Sequence, residues 1–211
     1  MVIRKSFERQ IKLKLSPYLK SLQMSQESNQ RVCPVEYAGG LDNKFRRFLQ
    51  NPVKILKPYI KEGMTVLDVG CGPGFFTLDI AKMLNKSGKV IAADLQQGML
   101  DRIVKKISGT ELEQRIHLYK CEKDSLGLTD RVDFILAFYM IHEVADQKKL
   151  FKELADILKP EGKILIIEPK FHVSEKAFKE MADKLTNIGL VAVEQPKVFF
   201  SRSIVLQNPK S

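Results

Sequence analysis

One stretch constrains this chain more than any other. Residues 64–69 form a short apolar run interrupted by one acid, Asp68, and then break into a loop with glycine at 70, 72 and 74. A helical pattern follows, with Phe76, Ile80, Met83 and Leu84 on one face. Strand, glycine loop and helix in succession bring a backbone close to a nucleotide-like ligand, because each glycine removes a Cβ or permits positive φ. The spacing is Gly-x-Gly-x-Gly, not the Gly-x-Gly-x-x-Gly of pyrophosphate binders. A second apolar run, residues 90–93, ends at Asp94, placed to accept hydrogen bonds from ribose hydroxyls.

The rest of the chain supports an alternating pattern. Strands are expected over 64–69, 89–93, 115–119, 132–138 and 163–168, and helices near 75–85, 97–107, 146–158 and 174–188. Such alternation predicts a parallel sheet with helices on both faces and right-handed crossovers. Two further strands, 190–194 and 198–206, are separated by Gln195-Pro196-Lys197. Strands that close must run antiparallel, since a parallel pair needs a long crossover. The expectation is an α/β, Rossmann-like, seven-stranded and mostly parallel sheet with a C-terminal antiparallel hairpin.

Residues 1–31 are polar and basic, with Phe7, Ile11, Leu15, Leu19 and Leu22 at helical spacing. They read as an N-terminal helical arm and linker before a domain spanning 32–211. Arg4, Lys5, Arg9, Lys12, Lys14 and Lys20 against Glu8 leave the first twenty residues at six minus one, or +5. The arm is a candidate homodimer contact or core cover. The whole chain carries +10, which favours polyanions. No basic run interleaved with aromatics gathers that charge into a nucleic-acid signature. Cys33, Cys71 and Cys121 are odd in number and widely spaced, which argues against a disulfide framework and for the reducing cytoplasm. No apolar run approaches a membrane span, and the three histidines lack metal-ligand spacing.

The glycine loop, the strand acid and Asp94 together resemble the class I, Rossmann-like, S-adenosylmethionine-dependent methyltransferases. The resemblance covers roughly residues 33–206. It implies a cofactor, S-adenosyl-L-methionine, whose methionine part lies along Asp68, Gly70, Cys71, Gly72 and Gly74. Cys71 fills the variable slot of the loop as a small structural residue. Asp94 would take the ribose and Leu95 the adenine; Met99 either touches the ring or packs in the core. Glu122 aligns with an acid that accepts from the adenine amino group, with Asp124 as the alternative, and Phe138 joins the cofactor contacts. Residues 32–60 correspond to a lid-like segment, with Tyr37 and Phe45 as candidates; core packing competes for Phe45.

The fourth strand ends in Phe138-Tyr139-Met140-Ile141-His142-Glu143-Val144. The Asn- or Asp-Pro-Pro-aromatic segment of amino methyltransferases is absent there. The segment is similar to the small-molecule group, the quinone-biosynthesis enzymes among them. A small-molecule acceptor is therefore expected, with Tyr139 as its wall and His142, Glu143 and Glu168 as titratable neighbours. A helix-start role competes for His142. Two other readings stay open: methylation of RNA or protein, with nucleic acid held through the basic arm, and a regulatory protein that binds cofactor without turnover.

Overall fold

The computed structural model describes residues 44–209. The expected arm at 1–31, Tyr37 and the side chain of Phe45 lie outside the described residues. Two short helices, α1 (Lys44–Leu49) and α2 (Pro52–Leu56), precede the sheet. Asn51 caps α2 by accepting from the Lys54 amide, and Pro52 takes the first helical position, where its missing N–H costs nothing.

The sheet contains β1 (Thr65–Val69), β2 (Lys89–Asp94), β3 (Ile116–Lys120), β4 (Val132–Phe138), β5 (Leu158–Pro169), β6 (Val191–Glu194) and β7 (Ser201–Gln207), in the order β3-β2-β1-β4-β5-β7-β6. The pairs from β3 through β5 are parallel, while β7 runs antiparallel to both β5 and β6. A reversed last strand thus sits between two strands that point the same way. The expected hairpin is present, and its connection is longer than the sequence suggests because β7 starts at Ser201 and not at 198.

Four helices follow the first turn: α3 (Thr77–Met83), α4 (Gln97–Ile107), α5 (Gln147–Ile157) and α6 (Glu175–Thr186). Strand residues alternate between two apolar layers. Val66, Phe134 and Leu165 pack with Ile80 of α3 and Ile103 of α4, while Leu67, Ile135 and Ile164 pack with Phe151 of α5 and Phe178 of α6. Asp146 and Ser174 are the N-caps of α5 and α6, accepting from the Lys149 and Ala177 amides. These caps explain why both helices start one residue later than their apolar periodicity implies.

Strand β5 begins at Leu158, five residues before the expected start. Its pairing with β4 is irregular between Val132 and Phe134, where Lys159 to Gly162 are accommodated with Glu161 at positive φ. The Pro160-Glu161-Gly162 segment, which lies between the expected helix and strand, is absorbed into the strand at this irregularity. No helix among the described residues is long and apolar enough to cross a membrane.

Candidate active site

Chain order runs from β1 outward through β2 to β3, and then returns to β4 beside β1. The crevice beyond the carboxyl ends of β1 and β4 is therefore the switch point, where open α/β sheets bind ligands. Gly70, Gly72 and Gly74 form the loop above β1, all at positive φ. They differ in what surrounds them. A Cβ on Gly70 would stand 2.8 Å from that of Met140, and one on Gly74 would stand 2.7 Å from Leu78 Cδ1, whereas a Cβ on Gly72 would meet nothing within 4 Å. The outer glycines allow the loop to pack, and the middle one faces open space.

Two buried carboxylates hold this loop. Asp94 accepts from the Gly72 amide at 2.9 Å and from the Gln96 amide at 2.8 Å, tying the end of β2 to the loop. Burial raises its pKa, opposed by the amide hydrogen bonds. Asp68 is 2 % exposed and accepts from the Thr77 hydroxyl at 2.6 Å. Burial lifts its pKa to about 7; the Thr77 hydrogen bond holds it down, while the charge of Asp94 adds to the rise. Cys71 is buried, with its pKa pushed well up by burial and then by the charges of Asp68 and Asp94, so it stays a thiol. Leu95 is half-buried and Met99 fully buried, whereas Glu122 is exposed on a turn whose backbone pairs with Ser125. Asp124 is exposed as well.

Beyond β4 the backbone turns sharply. Tyr139 takes φ 58°, rare for a large side chain. Its ring stacks on Phe138 at 4.1 Å, and Phe171 meets it edge-on. The Tyr139 hydroxyl accepts from Gln50 Nε2 at 2.6 Å and shares a hydrogen bond with the Ser201 hydroxyl at 2.6 Å. The Arg46 guanidinium lies 4.0 Å over the Phe75 ring and 5.2 Å from that of Phe138, a cation–π arrangement. Helix α1 is thus fastened onto the end of β4.

Next to Tyr139, the Glu168 carboxylate at the end of β5 is wholly buried. It accepts from the Ile141 amide at 2.9 Å and bonds His142 Nδ1. Burial alone would lower the pKa of His142; the Glu168 hydrogen bond, the charge of Glu168 and that of Glu143 outweigh it, and the net shift is upward. His172 stacks on His142 at 5.6 Å and shifts the other way, through burial and then the neighbouring imidazole. Glu143 is half-buried in the same short turn, Ile141–Glu143.

The fold brings the expected loop residues, Asp94, Phe138, Tyr139, His142 and Glu143 to one edge of the sheet. Sequence reasoning missed Thr77, Arg46, Gln50, Ser201, Phe171 and His172. Thr77 stands in the first turn of α3 with an ordinary periodic signature. Gln50 and Tyr139 are 89 positions apart, and no local pattern marks their pairing.

A methyltransferase domain family model matches residues 60–203. The chain is 35% identical over 130 residues to the demethylmenaquinone methyltransferase of Lactobacillus johnsonii, covering 61% of this chain and 51% of that protein. It is 26% identical over 110 residues to the ubiquinone/menaquinone biosynthesis C-methyltransferase UbiE of Escherichia fergusonii, covering 52% of this chain and 44% of that one. The chain therefore spans about half the length of the curated relatives it matches. Among solved structures, an S-adenosylmethionine-dependent methyltransferase from Aquifex aeolicus superposes with a TM-score of 0.75 at 30% identity, covering 83% of this chain and 98% of that one. One from Methanococcus maripaludis, with a TM-score of 0.70 at 19% identity, shares the fold. The domain match, the Aquifex relative and the glycine loop above β1 place this chain in the family of S-adenosylmethionine-dependent methyltransferases.

Proposed function

We propose that the protein methylates a small, largely apolar ring, a quinol of the kind named for its relatives, at the end of β4. One observation carries this reading: an aromatic wall of Phe138, Tyr139 and Phe171 stands beside a buried carboxylate–imidazole pair. Pockets for small apolar ligands combine such a wall with a few polar groups.

The donor set fits the cofactor. The open space above Gly72 admits a backbone approach, Asp94 would hold the ribose, and Leu95 would border the adenine, while Met99 is buried in the core. Asp68 in its ionised form would complement the amino group. When bound, S-adenosylmethionine supplies a methyl group already activated by the positive charge on its sulfur. The protein's part is alignment, which can be worth about 7–11 kcal/mol for well-positioned reactants. Tyr139 and Phe171 orient the ring. His142 receives the proton of an acceptor hydroxyl, making the adjoining ring carbon nucleophilic, while Glu168 on Nδ1 leaves Nε2 for that proton and stabilises the imidazolium. Once that carbon carries the methyl group, it sheds its ring hydrogen as a proton and the oxygen is reprotonated from His142, so one proton leaves overall. Helix α1, held by Gln50 and Arg46, would cover the site as part of a lid-like segment.

The test is incubation with methyl-labelled cofactor and a prenylated naphthoquinol, read by mass spectrometry. Label on the ring carbon is the expected result. Tight cofactor binding by calorimetry with no labelled quinol would overturn the acceptor assignment.

A further inference from the structure

Three phenylalanines next to the site are uncovered. Phe171 follows β5 and is 44% exposed, while Phe199 and Phe200 precede β7 and are 36% and 53% exposed. They belong to one face. The Lys170 amide donates to the Phe200 carbonyl at 3.1 Å, the Phe199 and Phe200 rings meet edge-on at 4.8 Å, and Phe171 touches Tyr139. Single exposed apolar residues need no explanation, but a contiguous aromatic patch does. Phe200 also sits at φ 52°, a conformation that favours asparagine or glycine. A strained bulky residue held out toward solvent is a candidate functional feature.

Cations border the patch. Lys170 directly precedes Phe171, Lys197 lies two positions before Phe199, and Arg202 Nη1 reaches the Lys170 carbonyl at 3.5 Å. Glu175, which opens α6, and Glu194, which ends β6, are the nearby exposed acids in sequence, against the three cations. Aromatic side chains ringed by lysine and arginine suit the boundary between the headgroups and acyl chains of an anionic membrane. A second copy of the chain is a poorer partner, because it would bring the same cations together on a protein of net charge +10.

We propose that the face formed by Phe171, Phe199 and Phe200 docks on an anionic lipid bilayer, with the phenylalanine rings entering the interface and Lys170, Lys197 and Arg202 meeting the headgroups. The site would then open toward the membrane, and an apolar acceptor would pass from lipid to Tyr139 without crossing water. That purpose rests on the acceptor reading above. The docking itself is measured with no acceptor present, so either can fail alone.

The chain contains no tryptophan, so a single Phe199→Trp substitution gives a clean reporter. Its emission is expected to shift to the blue with vesicles of equal parts phosphatidylcholine and phosphatidylglycerol, and to shift less with phosphatidylcholine alone. In cosedimentation, a Phe199→Ser/Phe200→Asn variant of the full chain should partition about tenfold or more weakly. Asparagine tolerates the positive φ at 200, so this variant should melt like the parent. Three results would overturn the proposal: an unshifted tryptophan, unchanged partitioning of the double variant, or binding abolished by ~0.5 M salt, which would reduce it to charge adsorption. No response to any vesicle would assign the patch to a protein partner instead.

Discussion

At the scale of single residues, Asp68 and Gly72 make the sharpest claims. Asp68 has its pKa raised to about 7 by burial, so the unfolded chain releases this proton near pH 4 while the folded chain holds it. The part of the stability that Asp68 governs therefore falls as pH climbs from about 4 to about 7 and is flat beyond. Asp68→Asn keeps an oxygen for the Thr77 hydroxyl and removes the charge. Its melting temperature should match the parent near pH 4 and exceed it above about pH 7, by the equivalent of roughly 1–4 kcal/mol. A pH-independent difference would show that the carboxyl titrates in the folded chain as it does in the unfolded one, with no upward shift. Gly72→Ala introduces positive-φ strain of about 1–2 kcal/mol, with no neighbour within 4 Å to clash. Cofactor affinity lost well beyond that amount, read by calorimetry, would mean that the added methyl occupies cofactor space. Asp94→Ala should weaken cofactor binding by about 1.5–3 kcal/mol. Because Asp94 also anchors the Gly72 amide, its melt must be recorded alongside. In the proposed reaction, His142 is the base. Its pKa is raised, so the neutral base forms only above the ordinary imidazole range. The rising limb of kcat against pH should lie above about 6.5 and move down in Glu168→Gln, where the carboxylate charge is gone.

At the scale of elements, the β1–loop–α3 unit was legible because its cues are local: period, glycine spacing and an acid at the strand end. The edges that sequence misjudged depended on partners far away. Strand β5 begins early because Val132 of β4 pairs with Leu158. Helix α1 shows only six residues of pattern, yet Arg46 and Gln50 carry it onto Phe138 and Tyr139. Tyr139→Phe tests that attachment. It deprives Gln50 and Ser201 of a buried partner and should cost about 1–3 kcal/mol of stability. It should also raise KM for the acceptor more than it lowers kcat. Equal melting temperatures would mean that α1 is held without the Tyr139 hydroxyl, by the Arg46 stacking on Phe75, the Arg47–Asp79 ion pair and the Gln50 bond to the Phe199 carbonyl. Glu122, aligned by resemblance with an adenine contact, is exposed on a turn whose backbone pairs with Ser125.

At the scale of the molecule, the net charge of +10 has two competing uses, a polyanion or a membrane face. Salt separates them. Methylation of bulk RNA would fall steeply between about 50 and 200 mM salt if several phosphates were neutralised. A small quinol as acceptor should show little such dependence in detergent solution. The fold class was readable without any of this, since seven strand patterns and their connection lengths determine it. The proposed acceptor edge was not, because its residues come together only from the ends of β4, β5 and β7 and from α1.

Strand β7 follows every other strand in the chain, yet it lies inside the sheet, between β5 and β6. During synthesis, β6 therefore emerges before the strand that will hold it, and β5 presents an unpaired border until the closing segment arrives. The protein resembles an arch whose keystone is set last. Until then, the backbone groups of Ile164 to Ile167 are available to any passing extended segment. Chains ending at Phe200 should be recovered as aggregates, whereas a separately supplied peptide spanning 201–209 should restore a share of them to solution by filling the vacant slot.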